Sequence, residues 1–156
     1  MDAGLMLAVL SAVLVVIISG IGSSWGVGWC GEISSGLVAE DPEKFGKTLL
    51  LQVIPGTQGI YGFLMAFWVM LKINLLGGVV PVSTEAGLMI LLICLTMGGT
   101  CVASGFFQVK TVVAGLALVG RRPEEAGKGL VFAAMVETYQ LLALLTAILL
   151  INGIPL

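Results

Sequence analysis

Four long apolar stretches, separated by three short polar connectors, make up nearly the whole chain. Residues 3–31 hold no ionisable group except Cys30. Residues 48–71 and 86–109 contain no Asp, Glu, Lys or Arg, and residues 129–156 carry one charge, Glu137. A membrane-spanning helix needs about 20 apolar residues, so each stretch is long enough to cross. The pattern predicts spans at 5–38, 46–74, 86–119 and 127–152. The first and third exceed one bilayer and are expected to tilt or to project beyond it. The connectors at 39–45, 75–85 and 120–126 are too short to be domains. Pro42 and Pro123 suit the first turn of the helix that follows, each with an acidic residue behind it.

A repeat underlies this pattern. Pro-Glu-Lys-Phe-Gly-Lys at 42–47 matches Pro-Glu-Glu-Ala-Gly-Lys at 123–128, an offset of 81 residues. At the same offset Leu37 meets Leu118, Val38 meets Val119, Leu49 meets Leu130, and Thr57 meets Thr138. The chain therefore reads as a duplicated helical hairpin, with residues 1–80 as one copy and 81–156 as the other. Glu137 falls opposite Gly56, so one half carries a buried carboxylate and the other lacks it. The expected fold class is an all-α membrane protein of four transmembrane helices in two tandem hairpins. Lys and Arg set orientation. Lys44, Lys47, Arg121, Arg122 and Lys128 cluster at the first and third connectors. Those connectors are expected in the cytoplasm, with both termini on the other side.

Composition sharpens the exclusions. Of 156 residues, 58% are hydrophobic and 10% charged, against about 25% charged in soluble domains. The chain has no His, which removes Ser-His-Asp and Cys-His catalysis. A net charge of −2 leaves no footprint for nucleic acid. Cys30, Cys94 and Cys101 all lie in apolar spans and are expected as packing thiols rather than a disulfide framework. The opening Met-Asp-Ala-Gly lacks the basic start of a cleavable signal, so the first span is expected to be retained. Gly22-Ser-Ser-Trp-Gly26 fits the nucleophile-elbow pattern, but with no preceding strand and no His it carries no chemistry. The first span is rich in small residues, with Gly20, Ser24 and Gly28 four apart on one face and Gly22 and Gly26 on another. Such spacing allows close helix approach, within one bundle or in a crowded ring of many copies.

The candidate chemistry lies in the polar residues inside the spans, where an ionisable group is expensive. Glu137 lies about 15 Å from the start of its span, at 1.5 Å per residue. Gln58 and Gln108 each lie about 18 Å from the same side. Three polar side chains from three spans thus share one level. Thr57 adds a hydroxyl, and Tyr61 follows Gln58 at i+3 on the same face. Pro55 must interrupt its helix, and Gly56 leaves open space beside it, so carbonyls such as those of Val53 and Ile54 can face a ligand. One carboxylate, two amide oxygens, a hydroxyl and a carbonyl are hard donors, and hard donors suit a hard cation. A proton would need only a carboxyl and one acceptor. The set therefore favours Na⁺ over H⁺. The plain alternative is helix-to-helix hydrogen bonding, worth about 0.6 kcal/mol per contact. Glu32 and Lys110 are the remaining charges within spans. They can pair, within or between subunits, or Lys110 can snorkel and Glu32 be solvated near the interface.

Leu51-Gln-Val-Ile-Pro-Gly-Thr-Gln-Gly-Ile-Tyr61-Gly, together with Phe132-Ala-Ala-Met-Val-Glu137-Thr-Tyr139, resembles the proteolipid (K, c-type) subunit of V/A-type rotary ATPases, above all the bacterial sodium-translocating V-type rotor ring. The resemblance extends over nearly the whole chain, including the Pro-Glu-x-x-Gly-Lys connectors and the Gly-rich first span. It implies a membrane rotor ring of identical subunits, with odd spans inside and even spans outside. Glu137 would carry the ion. Thr57, Gln58 and Gln108 would give side-chain oxygens, Ile54 its backbone carbonyl, and Tyr61 would lock Glu137 by a hydrogen bond. Implied partners are a stator membrane subunit with a cationic residue, a central-stalk subunit at the cytoplasmic connectors, and lipid. No bond chemistry is expected on this chain. A proton-carrying ring of the same kind and a stand-alone cation transporter or channel are the competing readings.

Overall fold

The computed structural model describes residues 2–156, which are helical with no strand among them. The helices are α1 (Ala3–Glu40), α2 (Phe45–Gln52), α3 (Thr57–Lys72), α4 (Thr84–Arg121) and α5 (Ala126–Gly153). Four segments are long and apolar enough to cross a membrane: Ala3–Glu40, Pro42–Lys72, Thr84–Arg121 and Pro123–Gly153. The second of these contains both α2 and α3. The first and third begin and end two residues outside their expected limits, and the second ends at Lys72 rather than 74.

The two basic connectors are built alike. Asp41 and Arg122 both leave helical backbone, with φ of −150° and −142°. Each precedes a proline, whose ring disfavours helical backbone one residue earlier. Each is followed by a single 3-10 turn, Pro42–Lys44 and Pro123–Glu125, before the next helix. Lys44 Nζ donates to the Gly120 carbonyl at 3.2 Å. That contact sets a cation against the negative end of α4 and holds the two connectors at one end of the bundle. At the far end Trp68 Nε1 donates to Asn152 Oδ1 at 3.1 Å and Lys72 Nζ to the Asn152 carbonyl at 3.2 Å. Asn74 turns the chain there with φ of 50°, a left-handed ending that Asn tolerates. Ser83 then starts α4, its Oγ accepting from the Ala86 amide at 3.1 Å.

Parallel helices α1 and α4 form the closest pair, and small residues allow it. A Cβ on Gly87 would lie 2.5 Å from the Gly4 carbonyl oxygen, and one on Gly62 of α3 would fall on the Ser19 hydroxyl. Without a hydrophobic force between helices in lipid, such close van der Waals contact is what joins them. Two buried clusters result. One contains Val15, Met65, Ile90 and Ile151; the other, nearer the basic connectors, contains Leu51, Val112, Leu116 and Val119. The outer surface is apolar as well, with Ile21, Leu92 and Phe132 each more than 60% exposed. A surface of that kind suits lipid or further helices, not water. Cys30, Cys94 and Cys101 are buried and free.

Gly26 sits where α1 meets the second and third spans. A Cβ there would lie 2.8 Å from both Pro55 Cβ and Val109 Cγ2. Gly26→Ala is therefore expected to destabilise the bundle by about 1–3 kcal/mol, the usual range for overpacking. Thermal loss of helical circular dichroism in detergent checks this, with Gly46→Ala, which meets nothing within 4 Å, as the unaffected control.

Candidate functional site

The site begins at the interruption of the second span. Pro55 has no amide hydrogen and its ring clashes with the preceding turn. Helix α2 stops at Gln52, Ile54–Gly56 forms a 3-10 turn, and α3 starts at Thr57. The carbonyls around the break are all engaged. Val53 accepts from the Gly56 amide at 2.9 Å. Ile54 accepts from the Thr57 amide and from Thr57 Oγ1 at 2.8 Å. Pro55 accepts from Ser23 Oγ of α1 at 2.8 Å. A carbonyl oxygen has two lone pairs, so the Ile54 oxygen is fully used until the Thr57 hydroxyl turns away.

One turn further, Gln58 is fully buried against Gln108 of α4, which is also fully buried. Gln58 Nε2 donates to Gln108 Oε1 at 3.0 Å and reaches Ser104 Oγ at 3.4 Å. Gln58 Oε1 and Gln108 Nε2 have no hydrogen-bond partner. Leaving a buried polar atom unpaired costs roughly 1–3 kcal/mol; Gln140 Oε1 and Ser34 Oγ are likewise buried without a partner. Gln108 Oε1 also keeps a second lone pair.

Glu137 approaches from α5 and is half-buried. Tyr61 donates its hydroxyl to Glu137 Oε1 at 2.5 Å. Tyr61 is one turn beyond Gln58 on α3 and so ties the carboxylate to the amide pair. Glu137 forms no hydrogen bond to Gln58 or Gln108 themselves. Opposite it in the repeat, Gly56 lies within the 3-10 turn. The repeat partners Thr57 and Thr138 have also diverged: Thr57 is half-buried at the break, while Thr138 is exposed and bonds only the Met135 carbonyl at 2.8 Å.

The charge of this assembly limits its ligand. Among the described residues no group of three or more His, Cys, Asp or Glu gathers. One carboxylate with neutral oxygens balances a single positive charge and leaves a divalent ion uncompensated. A monovalent cation or a proton is what the arrangement can neutralise.

Some residues reach the site unannounced by the sequence. Ser23 caps the Pro55 carbonyl and Ser104 touches Gln58; Ser104 lies four residues before Gln108, a spacing that could have flagged it. Gln140, buried three residues after Glu137, points elsewhere, with Nε2 on Cys101 Sγ at 3.1 Å and Met97 Sδ at 3.4 Å. Glu32 and Lys110 do not pair within the chain. Lys110 Nζ lies instead 4.4 Å from the centre of the Phe106 ring, and both residues are exposed.

The sequence pattern of the ATP synthase C-subunit family matches twice, at residues 10–69 and 91–150. The two matches begin 81 residues apart, the same offset as the connector repeat. The K subunit of the V-type sodium ATPase of Enterococcus hirae is 41% identical over 150 residues, covering 96% of this chain and 93% of that protein. The K subunit of the A-type ATP synthase of Methanocaldococcus jannaschii is 37% identical over 152 residues, covering 96% of this chain but 64% of that protein. Duplicated apolar hairpins, the broken second span and these matches over nearly its full length lead to one conclusion: the chain belongs to the ATP synthase C-subunit family, as a multi-pass, K-type proteolipid of the rotary ATPases.

Proposed function

We propose that this rotor protein carries Na⁺ across the membrane on Glu137, one ion per four-helix chain, as a ring of identical copies turns. The observation that carries the reading is the fully buried Gln58 Oε1, which accepts no hydrogen bond beside a lone carboxylate. A proton on Glu137 would need only the Tyr61 contact and would leave that amide oxygen empty-handed. A small hard cation uses it. The relative named as part of a sodium ATPase, at 41% identity, supports the same choice.

Each residue then has a task. Glu137 supplies the balancing charge. Gln58, Gln108 and Thr57 supply neutral oxygens, and Ile54 adds its carbonyl once the Thr57 hydroxyl rotates. Tyr61 fixes the carboxylate rotamer, while Pro55 and Gly56 open the helix for the ion. With Na⁺ bound, Glu137 is neutralised and the site can pass through lipid. Carrying it as an unpaired anion would cost several kcal/mol or more. At the stator, a cationic side chain from a different protein competes for Glu137 and releases the ion. The basic connectors at 39–45 and 120–126 face the cytoplasm and meet the central stalk, and both termini lie on the other side. Gly20 and Gly28 of α1, which meet nothing within 4 Å in their own chain, leave room for neighbouring copies.

Carbodiimide labelling of Glu137 in purified rings tests the ion, because the reagent attacks a protonated, accessible carboxyl. Millimolar Na⁺ is expected to protect at fixed pH, while K⁺ at equal ionic strength does not. Labelling that follows pH alone, indifferent to Na⁺, would assign the site to H⁺ and reduce the glutamine pair to helix adhesion.

A further inference from the structure

Two opposite charges inside the apolar spans take no part in the ion site. The ion pairs among the described residues are Lys44–Asp41 and Lys128–Glu125, so Glu32 of α1 and Lys110 of α4 have no oppositely charged partner in their own chain. Both are exposed. Low dielectric makes an unpaired charge at such a place expensive, and charges within spans accordingly pair with one another.

The position of each side chain indicates where its partner stands. Lys110 Nζ lies 4.4 Å from the Phe106 ring centre and 5.7 Å from that of Phe107. Phe107 lines a groove of about 510 Å³ built only from α4 and α5, among them Thr100 and Tyr139. The ammonium thus lies between Phe106, which stacks on Trp25 of its own α1 with ring centres 6.0 Å apart, and Phe107 on the groove side of α4. On α1, Gly28 and Gly36, one turn before and after Glu32, would each carry a Cβ with nothing within 4 Å. That face is bare.

Height is fixed by the packing of α1 on α4. Gly22 lies against Val102, Ile18 against Gly98, and Leu37 against Gly120. These contacts put Glu32 level with about residues 112–115 of α4, hence roughly 3–8 Å along the axis from Lys110 at 1.5 Å per residue. A lysine side chain spans that distance. In a ring all copies share one height, so a neighbour's Glu32 stands at the same level as the chain's own. Because the two hairpins repeat, the α1 of the next copy takes the groove side of α4 as α4 itself takes one side of α1.

We infer that Lys110 of one copy and Glu32 of the next form an ion pair, and that a closed belt of these pairs joins the inner helices of the ring. It rests on ring assembly and not on the identity of the ion. The contact neutralises both charges at every boundary between copies and fixes the relative height of adjacent ones.

Zero-length cross-linking of intact rings with a water-soluble carbodiimide tests it, since the reagent joins a carboxylate to an amine only in contact. The expected result is a ladder of multiples of the 16.2 kDa chain containing a 32–110 isopeptide, lost in Glu32→Gln and in Lys110→Met. Each single charge reversal, Glu32→Lys or Lys110→Glu, is expected to weaken the ring against dodecyl sulfate, and the double reversal to restore it. The proposal is overturned by a ladder that survives both neutral variants, by a 32–110 link confined to the monomer band, or by a double reversal no better than the singles. It is overturned equally if Lys110→Met removes bound anionic lipid while leaving cross-linking unchanged. Protection of Glu137 by Na⁺ is read separately, so failure here leaves the ion assignment standing, and the reverse.

Discussion

Replacing Glu137 with Gln is expected to abolish ion-coupled activity while leaving a ring that still assembles. The amide keeps the shape of the side chain and can still bond the Tyr61 hydroxyl, which donates to Glu137 at 2.5 Å in the native protein. It cannot balance a cation. Removing one partner of a buried charge pair costs about 3–5 kcal/mol, which corresponds to a loss of roughly 10²–10³-fold or more in Na⁺ affinity. Ion uptake into vesicles containing the whole complex should fall to background, and carbodiimide should no longer label the ring at this position. Rings that assemble and still pump Na⁺ with Gln at 137 would move the carrier role elsewhere in the chain.

The second large effect is expected from Gln58→Leu. This change removes the fully buried, unpartnered Oε1 and the donor to Gln108 together. Leucine fills similar space, so packing suffers little. A hydrogen bond or ligand contact to a charged group contributes about 1.5–3 kcal/mol. The Na⁺ concentration that half-protects Glu137 from carbodiimide should rise roughly 10–100-fold on that scale. The pH dependence of labelling without Na⁺ should scarcely move, because Tyr61 and Glu137 remain. An unchanged Na⁺ requirement would mean that the glutamine pair only joins helices.

The helices were plain in the sequence, and so was the level that Gln58 and Gln108 share. Rise per residue alone set Gln58 and Gln108 at one level, and they touch at 3.0 Å. Rotation about each helix axis was not legible. A soluble helix announces its inward face by an apolar stripe. Helix α1 is apolar all round, with Ile21 and Trp25 exposed and Ala8 and Val15 buried, so no stripe pointed Ser23 at Pro55 or turned Lys110 away from Glu32. The same blindness applies to the Ile54 carbonyl. Pro55 predicts a broken helix, but only the folded chain reveals that Thr57 answers the Ile54 oxygen twice, by amide and hydroxyl.

With Glu137 as the proposed ion carrier, its pairing with Gly56 would set a gear ratio. A ring of fixed circumference built from single hairpins, each with its own carboxylate, would move one ion for every hairpin that passes the stator. This duplicated chain, with glycine at one of the two equivalent positions, would move one ion for every two. The same rotation then delivers half the charge with twice the work behind each ion. One charge against 100 mV requires about 2.3 kcal/mol, so at a given torque the coarser gearing holds its gradient against roughly double the opposing potential. The loss of a single carboxylate trades ions per turn for the steepness of the slope they can climb.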